Sequence, residues 1–280
     1  MWLLLLCWVS LTAAMSDDVR QAIQMHTING QKEFAIVVPT YNNSQNDICI
    51  KNITSILAQR YDNYHVYIVD DCSTDDTVAK LKIFLATHER SAKVTLIENK
   101  ERWGAVANYY AVISTLENHV IVLNVDGDDW LAHKNVLTIL NNAYDKDIWL
   151  TYGQFRQYPS GEIGFCKSID PKNIRAHNYR RSEWLTTHLR TYYAWLFKKI
   201  DREDLCYQGT FIRACGDRAI MYPLIEMAAG RFLCMQEVLY IYNCVNPLAD
   251  IRVNLKDQQS MCHYICSLPP YEPLAEIVVY

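Results

Sequence analysis

HVIVLNVDGDD, residues 119–129, is the stretch that decides the fold. Its first seven residues are mostly apolar and rich in β-branched side chains, which is typical of a strand buried on both faces of a parallel sheet. Three carboxylates follow at once, on Asp126, Asp128 and Asp129, with Gly127 between the first two. A buried strand that ends in clustered charges predicts a sheet with a polar site at its edge.

Two earlier stretches repeat this pattern. Phe34–Thr40 (FAIVVPT) is an apolar run followed by Tyr41 and Asn42, and residues 65–71 (HVYIVDD) end in two carboxylates. The remaining regular segments of this half are three predicted helices at residues 47–60, 73–88 and 104–116 and one strand at residues 93–98. Alternating strands and helices predict an α/β fold, a Rossmann-like and mostly parallel sheet flanked by helices.

The carboxyl ends of parallel strands lie at one edge of a sheet, and ligands bind in the crevice there. Polar or small residues at the ends of three strands are therefore expected to meet in one cleft: Pro39, Thr40, Tyr41, Asn42, Asp70, Asp71 and residues 126–129. Tyr41 or Asn42 would flank a base, Tyr41 by stacking. Each cluster alone fits a helix cap or a turn, but the occurrence of all three at strand ends favours a common ligand site.

Residues 126–129, the acidic turn, predict a metal site. Three carboxylates within four residues repel one another unless a cation or hydrogen-bond donors compensate them. Mn²⁺ or Mg²⁺ held by Asp126, Asp128 and Asp129 would supply this compensation. Such an ion would bridge a diphosphate and neutralise the charge that develops on a leaving group. A solvated acidic turn is the alternative.

The second half of the chain is less regular. The periodic segments are two predicted helices at residues 183–200 and 217–229 and two strands at residues 149–154 and Phe232–Asn243. Pro269-Pro270 is expected to mark the end of compact structure. We predict one domain, with a nucleotide-binding half at residues 30–155 and a C-terminal helical, acceptor-binding half at residues 156–270.

Net charge and the absence of several motifs argue against some classes of protein. The net charge of -4 over 280 residues, without a Lys/Arg run, argues against a nucleic-acid partner. The chain has no GxGxxG, GxxxxGK[ST], GxSxG or HExxH motif, so dinucleotide binding, P-loop chemistry, serine hydrolysis and zinc proteolysis lack their sequence basis. The ten Cys match no zinc-ligand spacing, and disulfides are expected only if the chain is exported.

Residues 1–14 (MWLLLLCWVSLTAA) are apolar but too short to span a bilayer as an ordinary helix. Residues 1–15 fit either a signal peptide or a hydrophobic tail, since the length suits the first and the missing positive charge suits the second. We expect a cytoplasmic or membrane-associated protein, or a secreted or lumenal one if this segment is a signal peptide. Asn42 and Asn52 begin sequons, which matter only in a eukaryotic secretory route.

Three ordered motifs resemble those of family-two GT-A glycosyltransferases. They are IVVPTYN at residues 36–42, IVDDCSTDDT at residues 68–77 and DGDDW at residues 126–130. The resemblance runs from about residue 34 to residue 152, and less sharply to residue 247. It implies a GT-A fold and an inverting transfer from a nucleotide-sugar, with Mn²⁺ or Mg²⁺. It also implies that Asp71 contacts the base and that the acidic turn holds ribose and metal.

The resemblance further implies an acidic general base that opens a helix beyond the sheet. Gly216-Asp217-Arg218 is the best match, and such a base contributes about 10²- to 10⁴-fold to the rate. Glu226 is the alternative base. Asp217 would otherwise be a helix N-terminal residue favoured only by the helix dipole.

The chain departs from many relatives in carrying Ala107 where they carry Arg, so Arg102 is the predicted cation for a phosphate or the base. The expected nucleotide-sugar-binding residues are Pro39, Thr40, Tyr41, Asn42, Asp71, Arg102, Asp126, Gly127 and Asp128. The candidates for binding an anionic acceptor or the diphosphate are Arg180, Arg181, His188 and Arg190. Such residues are more usually solvated helix charges.

A UDP-sugar is the favoured donor, the acceptor is a free, lipid-linked or protein-linked sugar, and membrane association is left open. Two other functions are compatible with the fold. A nucleotidyltransferase that makes a nucleotide-sugar would want a Gly-rich basic loop after the first strand, which residues 39–44 lack. A non-catalytic carbohydrate-binding protein would not need its carboxylates.

Overall fold

The computed structural model of the chain describes residues 15, 17–246 and 255–278. Of the segment predicted to be a signal peptide or a hydrophobic tail, residues 1–15, the first fourteen lie outside the described residues. Among the residues described, no helix has the length and apolar character needed to cross a membrane.

One large sheet and the helices packed on it form the fold. Its strands are β1 (Phe34–Thr40), β2 (Tyr64–Asp70), β3 (Val94–Glu98), β4 (Ile121–Asn124), β5 (Trp130–Leu131), β6 (Leu150–Tyr158), β7 (Arg190–Tyr193) and β10 (Phe232–Asn243). The short strands β8 (Cys206–Tyr207) and β9 (Thr210–Phe211) pair with each other. The helices are α1 (Asp17–Met25), α2 (Ile48–Leu57), α3 (Thr77–Thr87), α4 (Ala105–Ile113), α5 (Val136–Ala143), α6 (Pro171–Arg175), α7 (Ala194–Phe197), α8 (Gly216–Ala228) and α9 (Leu255–Ser267).

The strand order β3-β2-β1-β4-β7-β6-β10-β5 places β1 and β4 side by side near the middle. Strands β1 to β4 are parallel, as are β6 and β10, whereas β7 is antiparallel to both of its neighbours. The predicted mostly parallel α/β sheet is confirmed. Because β1 lies between β2 and β4, the turns that follow these three strands share one edge.

Apolar burial explains why these segments form central strands. β4 is buried along its whole length, and Ile36 of β1 and Val66 of β2 are fully buried. Ile53 and Ile56 of α2 are buried against the same core. Fully burying a side chain of this size contributes roughly 1.5–3 kcal/mol relative to leaving it exposed. The core therefore fixes the strand register and, through it, the positions of the turns.

The predicted helix at residues 183–200 is wrong. Its middle is strand β7, which inserts between β4 and β6, and only the four residues of α7 that follow are helical. All four residues of β7 are buried. A short segment that is buried on every side has no amphipathic period, so its spacing does not distinguish a strand from a helix.

The chain also stays packed beyond Pro270, contrary to the sequence expectation. The N–H groups of Leu274 and Val278 donate to the carbonyls of Met227 and Ala229, at 3.0 and 2.9 Å. These bonds satisfy backbone groups at the C-terminal end of α8. The last described residues therefore belong to the same compact unit.

Candidate active site

The three polar clusters predicted at strand ends do meet. The N–H of Gly127 donates to the carbonyl of Pro39 at 3.1 Å, and the N–H of Asp71 donates to the carbonyl of Thr40 at 2.8 Å. These bonds continue the parallel pairing of β1 with its two neighbours beyond the strand ends. The turn after β1 is thus directly bonded to the turns after β2 and β4.

Gly127 is required by this close approach. A Cβ atom at this position would lie 2.7 Å from the carbonyl oxygen of Pro39 and 2.7 Å from the Cβ of Thr40. Both neighbours are held by the sheet and cannot move away cheaply. The acidic turn can therefore lie against the β1 turn only because residue 127 has no side chain.

Asn52 fastens the acidic turn from helix α2. Its side-chain amide donates to the carbonyls of Asp126 and Asp129, at 3.1 and 2.8 Å. The Asn52 residue is only 2% exposed. This sequon asparagine is used inside the fold, and the folded chain does not offer it for glycosylation.

His188 lies against the acidic turn, a position that the residues around it in sequence do not predict. Its Nε2 is 3.2 Å from Oδ2 of Asp126, and the Tyr109 hydroxyl donates to Oδ1 of the same carboxylate at 3.3 Å. The imidazole stacks on the ring of Tyr240 at 4.7 Å. Burial, together with the charge of Arg190, lowers the pKa of His188 below its ordinary value. A neutral imidazole can offer a nitrogen lone pair to a metal ion.

Asp129 is fully buried beside this pair. Its Oδ1 accepts the N–H of Asn243 at 2.7 Å, but its Oδ2 has no hydrogen-bond partner of normal geometry among the described residues. Burial and the charges of Asp128 and Asp126 raise the pKa of Asp129 well above its ordinary value. A buried oxygen of this kind calls for a proton or a cation.

Asp126, Asp129 and His188 form a group whose ligand atoms all lie within 4.8 Å of one another. Asp128, the third predicted carboxylate ligand, is not part of this group. Its Oδ2 accepts a hydrogen bond from the side-chain amide of Asn246 at 2.6 Å. The structure thus combines two of the three predicted carboxylates with an imidazole.

Asp71 organises the loop that follows β3. Its carboxylate is 5% exposed and accepts five hydrogen bonds, which come from the side chains of Asn99, Arg102 and Asn108 and the backbone N–H groups of Trp103 and Gly104. Burial would raise the pKa of Asp71, but these hydrogen bonds outweigh burial and lower it. The oxygens of Asp71 thus accept hydrogen bonds from the loop itself. Contact between Asp71 and a base stays a prediction.

Tyr41 and Arg102 stack on each other beside Asp71. The guanidinium carbon of Arg102 lies 3.4 Å from the centre of the Tyr41 ring, and about half of the Arg102 side chain is exposed. Next to them, the backbone N–H of Asn42 donates to the Ser73 hydroxyl at 2.9 Å, and the Asn42 side chain accepts the N–H of Thr74 at 2.8 Å. A partly exposed aromatic and cationic pair at a strand-end cleft suits a nucleobase.

Asp217 lies in the first turn of α8, with its side chain 32% exposed. Its Oδ2 is 3.3 Å from Nη2 of the buried Arg190, whose Nε donates to the carbonyl of Thr186 at 3.0 Å. Arg190 comes two residues after His188, so one short segment contacts both the acidic turn and Asp217. His188 and Arg190 are therefore not the solvated helix charges considered from sequence.

A cleft of about 460 Å³ opens beside Asp217. It is lined by Trp184, Cys215, Asp217, Arg218, Gln258, Gln259 and Cys262. The disulfide between Cys215 and Cys262, with Cα atoms 5.6 Å apart, ties the start of α8 to helix α9. The cleft therefore has one wall on α9 and one on the helix that carries Asp217.

Glu226, the alternative base, is excluded by its surroundings. It is fully buried, and its two oxygens accept hydrogen bonds from Nε and Nη2 of Arg180, at 2.7 and 2.8 Å. Its Oε2 also accepts the N–H of Tyr271 at 3.0 Å. A carboxylate with this set of partners holds the C-terminal half together and has no access to an acceptor.

Comparison with known proteins identifies the family of this chain. The profile described as glycosyl transferase family 2 matches residues 35–205, more than half of the chain. The chain belongs to glycosyl transferase family 2. The matched region includes the turn after β1, Asp71, the acidic turn and His188. Asp217 lies beyond it.

Two bacterial relatives in sequence carry names of the same kind. WcaA of Escherichia coli (strain K12), named as a glycosyl transferase of colanic acid biosynthesis, is 28% identical over 199 residues, 68% of this chain and 65% of WcaA. Glycosyltransferase GlyG of Streptococcus pneumoniae is 26% identical over 131 residues, 47% of this chain and 42% of GlyG. The match with this chain thus covers less than two thirds of the length of either relative.

Solved structures share the fold. The structure of Staphylococcus aureus TarS residues 1–349 has a TM-score of 0.61 and 18% identity, and the match covers 83% of this chain and 65% of that one. The mannosyltransferase PcManGT of Pyrobaculum calidifontis has a TM-score of 0.51 and 19% identity, with 78% and 59% of the two chains covered. The predicted GT-A architecture is confirmed by these likenesses.

Proposed function

We propose that this chain transfers a sugar from a nucleoside-diphosphate sugar, a UDP-sugar, to an acceptor hydroxyl, with inversion and with the help of a divalent ion. One observation carries the proposal. Residues 188–190 contact Asp126 in the acidic turn at one end and Asp217 at the other. A metal-bound donor and a general base would therefore face the same reacting centre.

The donor class is supported by the ligands of the structural neighbours. TarS was solved with UDP-GlcNAc and with UDP, and PcManGT was solved with GDP-Man and Mn²⁺. In this chain we assign the base to the Tyr41–Arg102 pair, with Asp71 holding the loop that carries Arg102. Pro39, Thr40, Asn42 and Gly127 would form the floor of the donor site through their backbone contacts.

The group of Asp126, Asp129 and His188 fits a divalent ion. The buried Oδ2 of Asp129, which has no hydrogen-bond partner of normal geometry among the described residues, gains a partner if a cation binds there. Carboxylates suit Mg²⁺ and Mn²⁺, and the imidazole shifts the preference towards Mn²⁺. Asp128 would join the set by exchanging its bond to Asn246. A bound ion would neutralise charge on the departing diphosphate.

Asp217 is the proposed general base. Its carboxylate would take the proton of the acceptor hydroxyl as that oxygen bonds to the anomeric carbon and the bond to the diphosphate breaks. Attack from the side opposite the diphosphate inverts the anomeric centre. Arg190, through its contact at 3.3 Å, would orient Asp217 towards the reacting centre.

The cleft beside Asp217 is the proposed acceptor site. Trp184 offers an aromatic surface, and Arg218 and the two glutamines offer hydrogen-bond donors. An aromatic face with a few convergent polar groups is a common arrangement in ligand pockets. We infer that the acceptor is a saccharide or a saccharide-bearing molecule that reaches Asp217 through this cleft.

An assay of nucleoside diphosphate release tests the proposal. The purified chain is incubated with UDP-, GDP- and dTDP-sugars, with Mn²⁺ or EDTA, and with saccharide acceptors. We expect Mn²⁺-dependent release from a UDP-sugar, faster with an acceptor present. If nucleotide-sugars bind but none is turned over, the non-catalytic alternative is favoured. If none binds, the donor site as described is wrong.

A further inference from the structure

Two imidazoles and a carboxylate lie together at the amino-terminal edge of the sheet. His26 follows helix α1, Glu33 directly precedes β1, and His119 lies shortly before β4. The parallel register of β1 with β4 begins at Phe34 opposite Ile121. The acidic turn follows the other end of β4. This cluster is therefore separated from the proposed donor site by the length of the strands.

The three side chains are close enough to share one ion. Nε2 of His119 lies 2.9 Å from Oε2 of Glu33. The rings of His26 and His119 are stacked, with their centres 4.1 Å apart. The ligand atoms of all three residues lie within 4.8 Å of one another.

We propose that His26, Glu33 and His119 bind a transition-metal ion of the Zn²⁺ type. Two imidazoles and one carboxylate are a donor set that such ions prefer, whereas Mg²⁺ and Ca²⁺ prefer oxygen ligands alone. His119 is buried and provides a fixed nitrogen, while His26 is exposed, so its ring can turn to direct a nitrogen at the ion. Three protein ligands leave a fourth position for water.

The ion would link α1 to the sheet. Among the described residues, Met15 and Val19 are the buried apolar contacts of this N-terminal segment, and Arg20 forms an ion pair with Asp147 at 3.7 Å in which both side chains are more than 40% exposed. Exposed pairs of this kind contribute little to stability. A metal shared by His26, Glu33 and His119 would tie α1 to the starts of β1 and β4.

Zn²⁺ titration by calorimetry on the metal-free chain tests this site. His188→Gln serves as the background, because it weakens the proposed donor-site group. In that background we expect saturable Zn²⁺ binding that His26→Gln weakens by roughly tenfold or more. Zn²⁺ should also raise the melting temperature in the background but not in the double variant. Excess Mg²⁺ should not displace Zn²⁺.

Two further variants keep the test decisive. Glu33→Gln should weaken Zn²⁺ binding in this background as His26→Gln does. Each of the two changes made alone in the wild-type chain should leave Mn²⁺-dependent nucleotide binding intact. His133→Gln is the matched control, since His133 faces Glu237 at 3.4 Å and is also partly exposed. Equal Zn²⁺ affinity in the His188→Gln background and in the two double variants would overturn the site. In that case the contact between His119 and Glu33 is only a hydrogen bond. The proposed transferase function does not depend on this result.

Discussion

Nε2 of His188 lies 3.2 Å from Oδ2 of Asp126, so a residue from the second half of the chain touches the acidic turn of the first. The contact exists because β7 inserts next to β4 and runs antiparallel to it. The start of β7 therefore lies beside the end of β4, where the acidic turn begins. Arg190, the first residue of β7, extends the connection to Asp217.

His188→Gln should weaken Mn²⁺ binding by roughly tenfold or more, because the amide that replaces the imidazole is a poorer ligand. The measurement is the free Mn²⁺ signal in electron paramagnetic resonance during titration of the nucleotide-free chain. His133→Gln changes a histidine that is not one of these three ligands and that faces Glu237 at 3.4 Å, so this variant should bind Mn²⁺ as the wild type does. Equal affinity in both variants would remove His188 from the metal site.

Asp217→Asn should reduce kcat by about 10²- to 10⁴-fold, because the amide cannot accept the acceptor's proton. The dissociation constant of the nucleotide should stay nearly unchanged, since Asp217 is proposed to contact the acceptor rather than the nucleotide. Rates come from acceptor-dependent nucleotide release and affinities from calorimetry. Asp18→Asn is the control, because Asp18 is an exposed acidic residue in the first turn of α1. Full activity in Asp217→Asn would place the base elsewhere.

Glu226→Gln should lower the free energy of unfolding by several kcal/mol, because it leaves the buried Arg180 without its counter-ion; loss of one partner of a buried pair costs about 3–5 kcal/mol. Equilibrium denaturation in urea measures the change. Glu183→Gln, which removes a pair to Lys167 with both side chains about 60% exposed, should cost about 1 kcal/mol or less. A Glu226→Gln chain of normal stability but collapsed kcat would restore Glu226 as the base.

Cys262→Ser should lower the free energy of unfolding of the oxidised chain by about 2–4 kcal/mol, since Cys215 and Cys262 are separated by 47 residues. Cys266→Ser, on the same helix, should have a smaller effect because Cys266 is not in a disulfide. Denaturation with and without dithiothreitol checks this. If dithiothreitol destabilises Cys262→Ser as much as the wild type, this disulfide does not contribute.

The first half of the fold could be predicted because its signals are local. β1, β2 and β4 are mostly apolar runs that end in polar residues, and they lie where this pattern places them. The convergence of Pro39, Asp71 and Gly127 then followed from the common edge of parallel strands. The structure adds the backbone bonds between these turns.

The second half could not be predicted in the same way. The sequence of β7 is compatible with a helix, because a segment that is buried on all sides has no amphipathic period. Its antiparallel insertion between β4 and β6 depends on strands far away in sequence. His188 and Arg190 reach the site only through that insertion. The ion pair of Glu226 with Arg180 and the disulfide of Cys215 likewise join distant positions that no local pattern connects.

Calorimetric titration of UDP into the chain, with Mn²⁺ or with EDTA, tests most directly whether the acidic turn carries a metal-bound nucleotide. We predict saturable binding with Mn²⁺, strong loss of affinity in EDTA, and the same loss in Asp126→Asn with Mn²⁺ present. Asp145→Asn, which removes an exposed carboxylate that pairs with Lys32, should bind UDP normally. UDP binding that is equally tight in EDTA and in Asp126→Asn would contradict the account.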